Sequence, residues 1–152
     1  MKPLAQLECL WRQLPLLPVA VVHDVEEGIA LADMLSAVGV PMLEITLRTP
    51  KALVIIETIR KERPNMVVGA GTVCDLYQLE AARQAGACFA VSPGATAELL
   101  HAGHDYLLPG VATPSEIMVA RANAHIRYPC RFLMSSAKIN FKITLRIIPH
   151  QV

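Results

Sequence analysis

The sequence predicts an α/β fold built on a parallel sheet, and three observations lead there. Short apolar, β-branched runs alternate with helix-like segments. Matched points in successive runs (Val21, Ile45, Val68, Val91 and Leu108) recur every 17–24 residues, the spacing of βα units. The runs are nearly continuous in apolar residues, as strands are when both faces of a sheet are covered. Finally, 53% of the 152 residues are hydrophobic and 18% charged, enough apolar material for one core in a single domain. Two arrangements satisfy these facts: an open doubly wound sheet and a closed (β/α)8 barrel. A full barrel typically takes about 200 residues or more, so length alone favours the open sheet.

The elements follow in order. Leu16–Val22 reads as the first strand, and Asp24 offers an N-cap to a helix whose stripe is Val25, Ile29, Leu31, Ala32 and Leu35. That helix stops near Gly39. Pro41–Leu47 is the second strand, with Pro50 placed in the first turn of a helix reaching Glu62. The third strand is Met66–Val73, and Asp75 caps a helix ending near Gly86. Cys88–Val91 is the fourth, with Thr96 opening a short helix to Ala102. Tyr106–Val111 is the fifth, with Thr113 opening a helix through Ala124. Leu7, Leu10, Trp11 and Leu14 fit an N-terminal amphipathic helix that covers the base of the sheet.

Charge and composition exclude several classes of function. Net charge is +1, which gives no basic surface for nucleic acid or anionic lipid. The longest stretch free of Asp, Glu, Lys and Arg is the 14 residues 84–97, and it holds Gly86, Pro93 and Gly94. A membrane-spanning helix needs about 20 predominantly apolar residues, and no basic segment with a cleavage site leads the sequence. The expectation is a cytoplasmic protein with no membrane or nucleic-acid partner. Cys9, Cys74, Cys88 and Cys130 are widely spaced and read as thiols, with neither disulfide nor zinc pattern. His101 and His104 lack the further ligands of a metal site, and His23 follows the first strand without a defined role.

Chemistry in parallel α/β folds sits beyond the carboxyl ends of the strands, and here those ends are polar. Glu44, Thr46 and Arg48 alternate with Leu43, Ile45 and Leu47, so an extended strand puts all three on one face. A Glu44–Arg48 ion pair filling a barrel interior is the structural explanation. The functional one is a carboxylate placed for proton transfer beside an Arg that grips an anionic substrate. Gly69-Ala70-Gly71-Thr72 ends the third strand, with glycines where a ligand or neighbouring strand comes close. Ser92-Pro93-Gly94 ends the fourth, and Pro109-Gly110 lies in the fifth.

These strings, Leu43-Glu44-Ile45-Thr46-Leu47-Arg48-Thr49, Val68-Gly69-Ala70-Gly71-Thr72-Val73, Ser92-Pro93-Gly94 and Pro109 to Glu116, resemble the 2-dehydro-3-deoxy-phosphogluconate / 4-hydroxy-2-oxoglutarate aldolases. The resemblance runs from about Leu16 to about Ala120 and implies a (β/α)8 TIM barrel, here incomplete at about five to six βα units. It implies a class I lyase of carbohydrate metabolism, in the Entner–Doudoroff pathway, acting through a Schiff base. A 2-oxo acid or phosphorylated sugar acid would be cleaved to pyruvate and an aldehyde by a homotrimer. Glu44 matches the general acid/base, Arg48 and Thr72 match residues that bind the pyruvyl carboxylate, and Pro93 lies in the matching wall. No metal or other cofactor is implied, because an iminium serves as the electron sink.

The Schiff-base lysine has no counterpart at the matching position. Ungapped extension puts Pro129 there, a second register puts Leu133, and no lysine occurs between Lys61 and Lys138. Lys138 and Lys142 are the two lysines beyond that gap. Residues 117–152 hold six Lys/Arg, no Asp or Glu and no glycine, against eight Lys/Arg and 13 Asp/Glu over 1–116. The expected division is therefore 1–124, the barrel part, and 125–152, a divergent basic tail. A C-terminal truncation or frameshift would account for the change, and the alternative to an active aldolase is an inactive scaffold.

Overall fold

A computed structural model describes residues 9–10, 13–14, 16–94, 96–124 and 143–147. Five strand–helix units follow one another: β1 (Leu16–Ala20), α1 (Val25–Ala37), β2 (Met42–Thr46), α2 (Ala52–Glu62), β3 (Val67–Gly71), α3 (Leu76–Gln84), β4 (Ala90–Ser92), α4 (Ala97–Gly103), β5 (Leu107–Pro109) and α5 (Pro114–Ala124). A sixth strand, β6 (Ile143–Ile147), completes the sheet. Strand order is β5-β4-β3-β2-β1-β6, and β1 to β5 are mutually parallel. A doubly wound sheet would reverse direction at a switch point. Here each strand lies beside its sequence neighbour, the progression of a barrel wall. The fold is a partial α/β barrel.

The sixth strand departs from expectation. A further parallel unit would have extended the wall beside β5; instead β6 pairs antiparallel with β1, from Leu16 opposite Ile147 to Ala20 opposite Ile143. Pro129, Leu133, Lys138 and Lys142 lie outside the described residues.

Helix starts follow local chemistry. Asp24 accepts from the Glu27 N–H, Asp75 from the Gln78 N–H and Thr96 from the Leu99 N–H, each satisfying a donor that the first helical turn leaves open. At α5 the Thr113 hydroxyl accepts from the Glu116 N–H, and the Glu116 carboxylate accepts from the Ala112 and Thr113 N–H groups. Those bonds hold the Glu116 carboxyl below its ordinary pKa. Pro50 does not enter α2, which begins at Ala52 with Lys51 at its cap. It closes the turn after β2. Gly39 and Gly86, at φ +78° and +79°, end α1 and α3 in the left-handed conformation.

The sheet has two unlike faces. On the helix side Leu43, Ile45, Val68, Ala70, Ala90 and Leu107 share one buried cluster with Ile55, Ile56, Ile59, Leu79 and Ala82 of the helices. Gly28 lets α1 meet α2 closely, since a Cβ there would stand 2.5 Å from Ile55 Cγ2. On the other face Leu17, Met42, Val67, Phe89, Val91 and Leu108 form a second cluster, with Leu10 and Leu14 packed against it. That placement of Leu10 and Leu14 fits the expected covering of the sheet; Leu7 and Trp11 lie outside the described residues. No described helix is long and apolar enough to cross a membrane.

Candidate active site

Strand β2 carries Met42, Glu44 and Thr46 at alternate positions, and Met42 belongs to the second, inner cluster. Period 2 therefore puts Glu44 and Thr46 on the inner face, above the apolar floor. Both are buried, Glu44 at 0% exposure and Thr46 at 5%. The Thr46 hydroxyl donates to the Ala20 carbonyl at 3.2 Å, which ties β2 to the end of β1. One turn later the Thr49 hydroxyl donates to the Val22 carbonyl at 2.8 Å, fixing the loop that follows.

Arg48 does not share the strand. β2 ends at Thr46, and residues 47–50 turn toward α2, so Arg48 is an exposed residue of the turn. The alternation that holds for Glu44 and Thr46 ends there, because Pro50 and the Thr49 bond bend the chain. Arg48 still stands at the C-terminal edge: the N–H of its neighbour Leu47 donates to the Gly71 carbonyl at 2.8 Å.

Across the ladder Glu44 pairs with Gly69 and Thr46 with Gly71. Both glycines are filled by neighbours. A Cβ on Gly69 would collide with the Phe89 ring, and one on Gly71 with the Glu44 carboxyl. Thr72 follows at φ +62°, the one described non-glycine residue with positive φ. A β-branched residue pays for that conformation, and such strain gathers at functional sites. Its neighbour Val73 donates to the Val91 carbonyl at 3.0 Å, so the strained residue is bracketed by ladder bonds.

The ends of β4 and β5 complete the rim. Pro93 is exposed, and the Gly110 N–H donates to the Ser92 carbonyl at 2.8 Å. A Cβ on Gly110 would strike the Pro93 carbonyl, so glycine is what allows β5 to approach there. The Ser92 hydroxyl is fully buried and has no hydrogen-bond partner among the described residues. Thus Glu44 lies within β2, Thr72 directly follows β3 and Pro93 directly follows β4, three consecutive strands, with Arg48 in the turn after β2. Sequence reasoning passed over Phe89; its signal was an aromatic residue on the strand beside a glycine-interrupted one.

The remaining candidates stand apart. His23 is exposed, with its backbone N–H on the Glu27 carboxylate at 2.8 Å. His104 Nδ1 is 3.2 Å from Asp105 at the end of α4. Among the described residues no three His, Cys, Asp or Glu side chains gather to hold a metal ion. Cys9, Cys74 and Cys88 are free thiols.

The family model for KDPG and KHG aldolase matches residues 7–128. The 2-dehydro-3-deoxy-phosphogluconate aldolase of Pseudomonas aeruginosa is 43% identical over 127 residues, covering 82% of this chain and 58% of its own. The KHG/KDPG aldolase of Escherichia coli is 47% identical over 108 residues, 69% of this chain and 51% of its own. Among solved structures, the 2-keto-3-deoxy-6-phosphogluconate aldolase of Zymomonas mobilis with 3-phosphoglycerate superposes with a TM-score of 0.70 at 42% identity, over 76% of this chain and 56% of that one. The KDPG aldolase of Legionella pneumophila, with pyruvate captured as a covalent carbinolamine, gives 0.67 at 43% identity, over 70% and 53%. The chain thus spans a little over half the length of these relatives. With the family model matched over residues 7–128 and the relatives 43–47% identical, the chain belongs to the KDPG and KHG aldolase family.

Proposed function

We propose that this chain is a class I aldolase that cleaves 2-dehydro-3-deoxy-6-phosphogluconate, and 4-hydroxy-2-oxoglutarate, to pyruvate and an aldehyde. An amine attacks the 2-oxo carbon and water leaves, giving an iminium that draws electrons from the C3–C4 bond as it breaks. Glu44 moves the protons at the carbinolamine and enamine steps. Arg48 and Thr72 hold the pyruvyl carboxylate, and Pro93 forms part of the wall. Residues 1–124 supply this barrel part, and 125–152, the only stretch after Lys61 with lysines, would supply the amine through Lys138 or Lys142. The protein would work in the cytoplasm as a homotrimer, like the family it joins. The observation that carries the reading is Glu44, a carboxyl buried at 0% exposure on the inner face near the strand ends. Burying a carboxyl costs free energy that an apolar residue would not.

A second reading rests on a specific fact: no lysine occurs between Lys61 and Lys138. It is a scaffold that binds 2-oxo acids and does not turn them over. Pyruvate release from 2-dehydro-3-deoxy-6-phosphogluconate, followed through lactate dehydrogenase, separates the two. Release that falls about 10²–10⁴-fold in Glu44→Gln fits the aldolase, the usual range for losing a general acid/base. Pyruvate binding without release establishes the scaffold.

A further inference from the structure

We propose that Gly71 is a positioning residue for the Glu44 carboxyl, holding it toward the C-terminal mouth by leaving open the space the carboxyl fills. The proposal deepens the proton-transfer role given to Glu44 and rests on that reading. In the ladder Glu44 stands opposite Gly69, not Gly71. Yet the three atoms nearest a Cβ built on Gly71 are all from Glu44: Oε1, Cδ at 2.8 Å and Cγ at 2.9 Å. The side chain therefore leans two residues along β3, toward the strand end and Thr72.

Gly69 explains the direction of that lean. The three atoms nearest its absent Cβ all belong to the Phe89 ring, which is itself fully buried. The ring comes from the β4 side and occupies the place directly across from Glu44. Two glycines on one face, two residues apart, thus do different jobs. Gly69 admits an aromatic ring that closes the space below, and Gly71 admits the carboxyl above. An alanine methyl at 71 would push the carboxyl from its seat. A displacement of about 1 Å in a reacting group can cost about 100-fold in rate.

The test is a set of four proteins: parent, Gly71→Ala, Glu44→Ala and the double variant. If the glycine serves the carboxyl, Gly71→Ala lowers Tm by about 5 °C in the parent and by under about 1 °C in the Glu44→Ala background. A Gly71→Ala protein that fails to fold, beside a double variant that folds, supports the proposal equally. In folded Gly71→Ala, the ¹³C-carboxyl chemical shift of Glu44 at neutral pH, assigned by its loss in Glu44→Gln, should differ from the parent's. An equal Tm cost in both backgrounds, a double variant that does not fold, or an unchanged chemical shift would overturn it. Neither readout depends on turnover. A chain with the expected coupling that releases no pyruvate would therefore refute the aldolase reading, while the seating of the Glu44 carboxyl by Gly71 would be established on its own.

Discussion

Both faces of the sheet are buried over apolar clusters, but only the inner face of β2 and β3 turns polar and glycine-rich toward the carboxyl ends. Toward the helices, Leu43, Ile45, Val68 and Ala70 meet Ile55, Ile56 and Ile59 in an apolar seam. On the inner face the same two strands carry Glu44, Thr46 and two glycines. Burial alone stabilises the first arrangement, at about 1.5–3 kcal/mol for each large aliphatic side chain. It does not explain the second, where a carboxyl costs free energy to bury and glycines contribute no side chain. Strands that are interchangeable on one face are specialised on the other, and the specialisation increases toward their carboxyl ends.

Substitutions on the two faces should therefore fail in different ways. The largest effect is expected on the inner face: Glu44→Gln should remove two to four powers of ten from pyruvate release, about 3–5 kcal/mol in the barrier. Its Tm should stay within about 3 °C of the parent, equivalent to roughly 1 kcal/mol. A collapse of Tm would make Glu44 structural and blur the comparison. Ile55→Ala, on the helix side, should cost about 2–5 kcal/mol in denaturant unfolding. At temperatures where it stays folded, its affinity for pyruvate should match the parent's, and weakened binding would show that the faces are coupled.

Thr72 sharpens the contrast at the strand end. Replacing it with glycine relieves the left-handed backbone at φ +62°. Stability should then rise by up to about 1 kcal/mol, the strain relieved less glycine's added chain entropy. Pyruvate affinity, followed by calorimetry, should fall as the hydroxyl is lost. Higher stability with unchanged affinity would remove Thr72 from the site.

The five units were legible because each has a local cause. Asp24, Asp75 and Thr96 cap the helices expected from their positions, and the apolar runs are long enough to mark strands. The strand order required more. Open sheet and barrel share the same βα spacing, and only the residue strings at the strand ends favoured the barrel. Arg48 was misplaced because alternation was carried two residues beyond Thr46, past a bend set by the Thr49 hydroxyl on Val22 and by Pro50. The left-handed Thr72 was hidden because a β-branched residue is a poor signal for positive φ. The glycines were seen as gaps, but Phe89 and Glu44 could be assigned to them only from tertiary packing.

The smallest effect is expected at the start of α5. The Glu116 carboxyl is held below its ordinary pKa chiefly by the N–H groups of Ala112 and Thr113. A depressed carboxyl pKa gives stability that is present above the unfolded value and lost as pH falls through the lower folded one. The parent should therefore melt slightly above Glu116→Gln at neutral pH, and the gap should close on acidification below the unfolded carboxyl range. A gap independent of pH would show that the cap acts without its charge.

Intact-mass spectrometry after incubation with pyruvate and borohydride tests the central claim most directly, because it traps the covalent step itself. The account predicts one reduced pyruvate adduct per chain, mapped to Lys138 or Lys142, on protein shown to be folded by circular dichroism. A folded protein that takes up no adduct would contradict it, leaving the polar inner face as a binding surface without the nucleophile of class I chemistry.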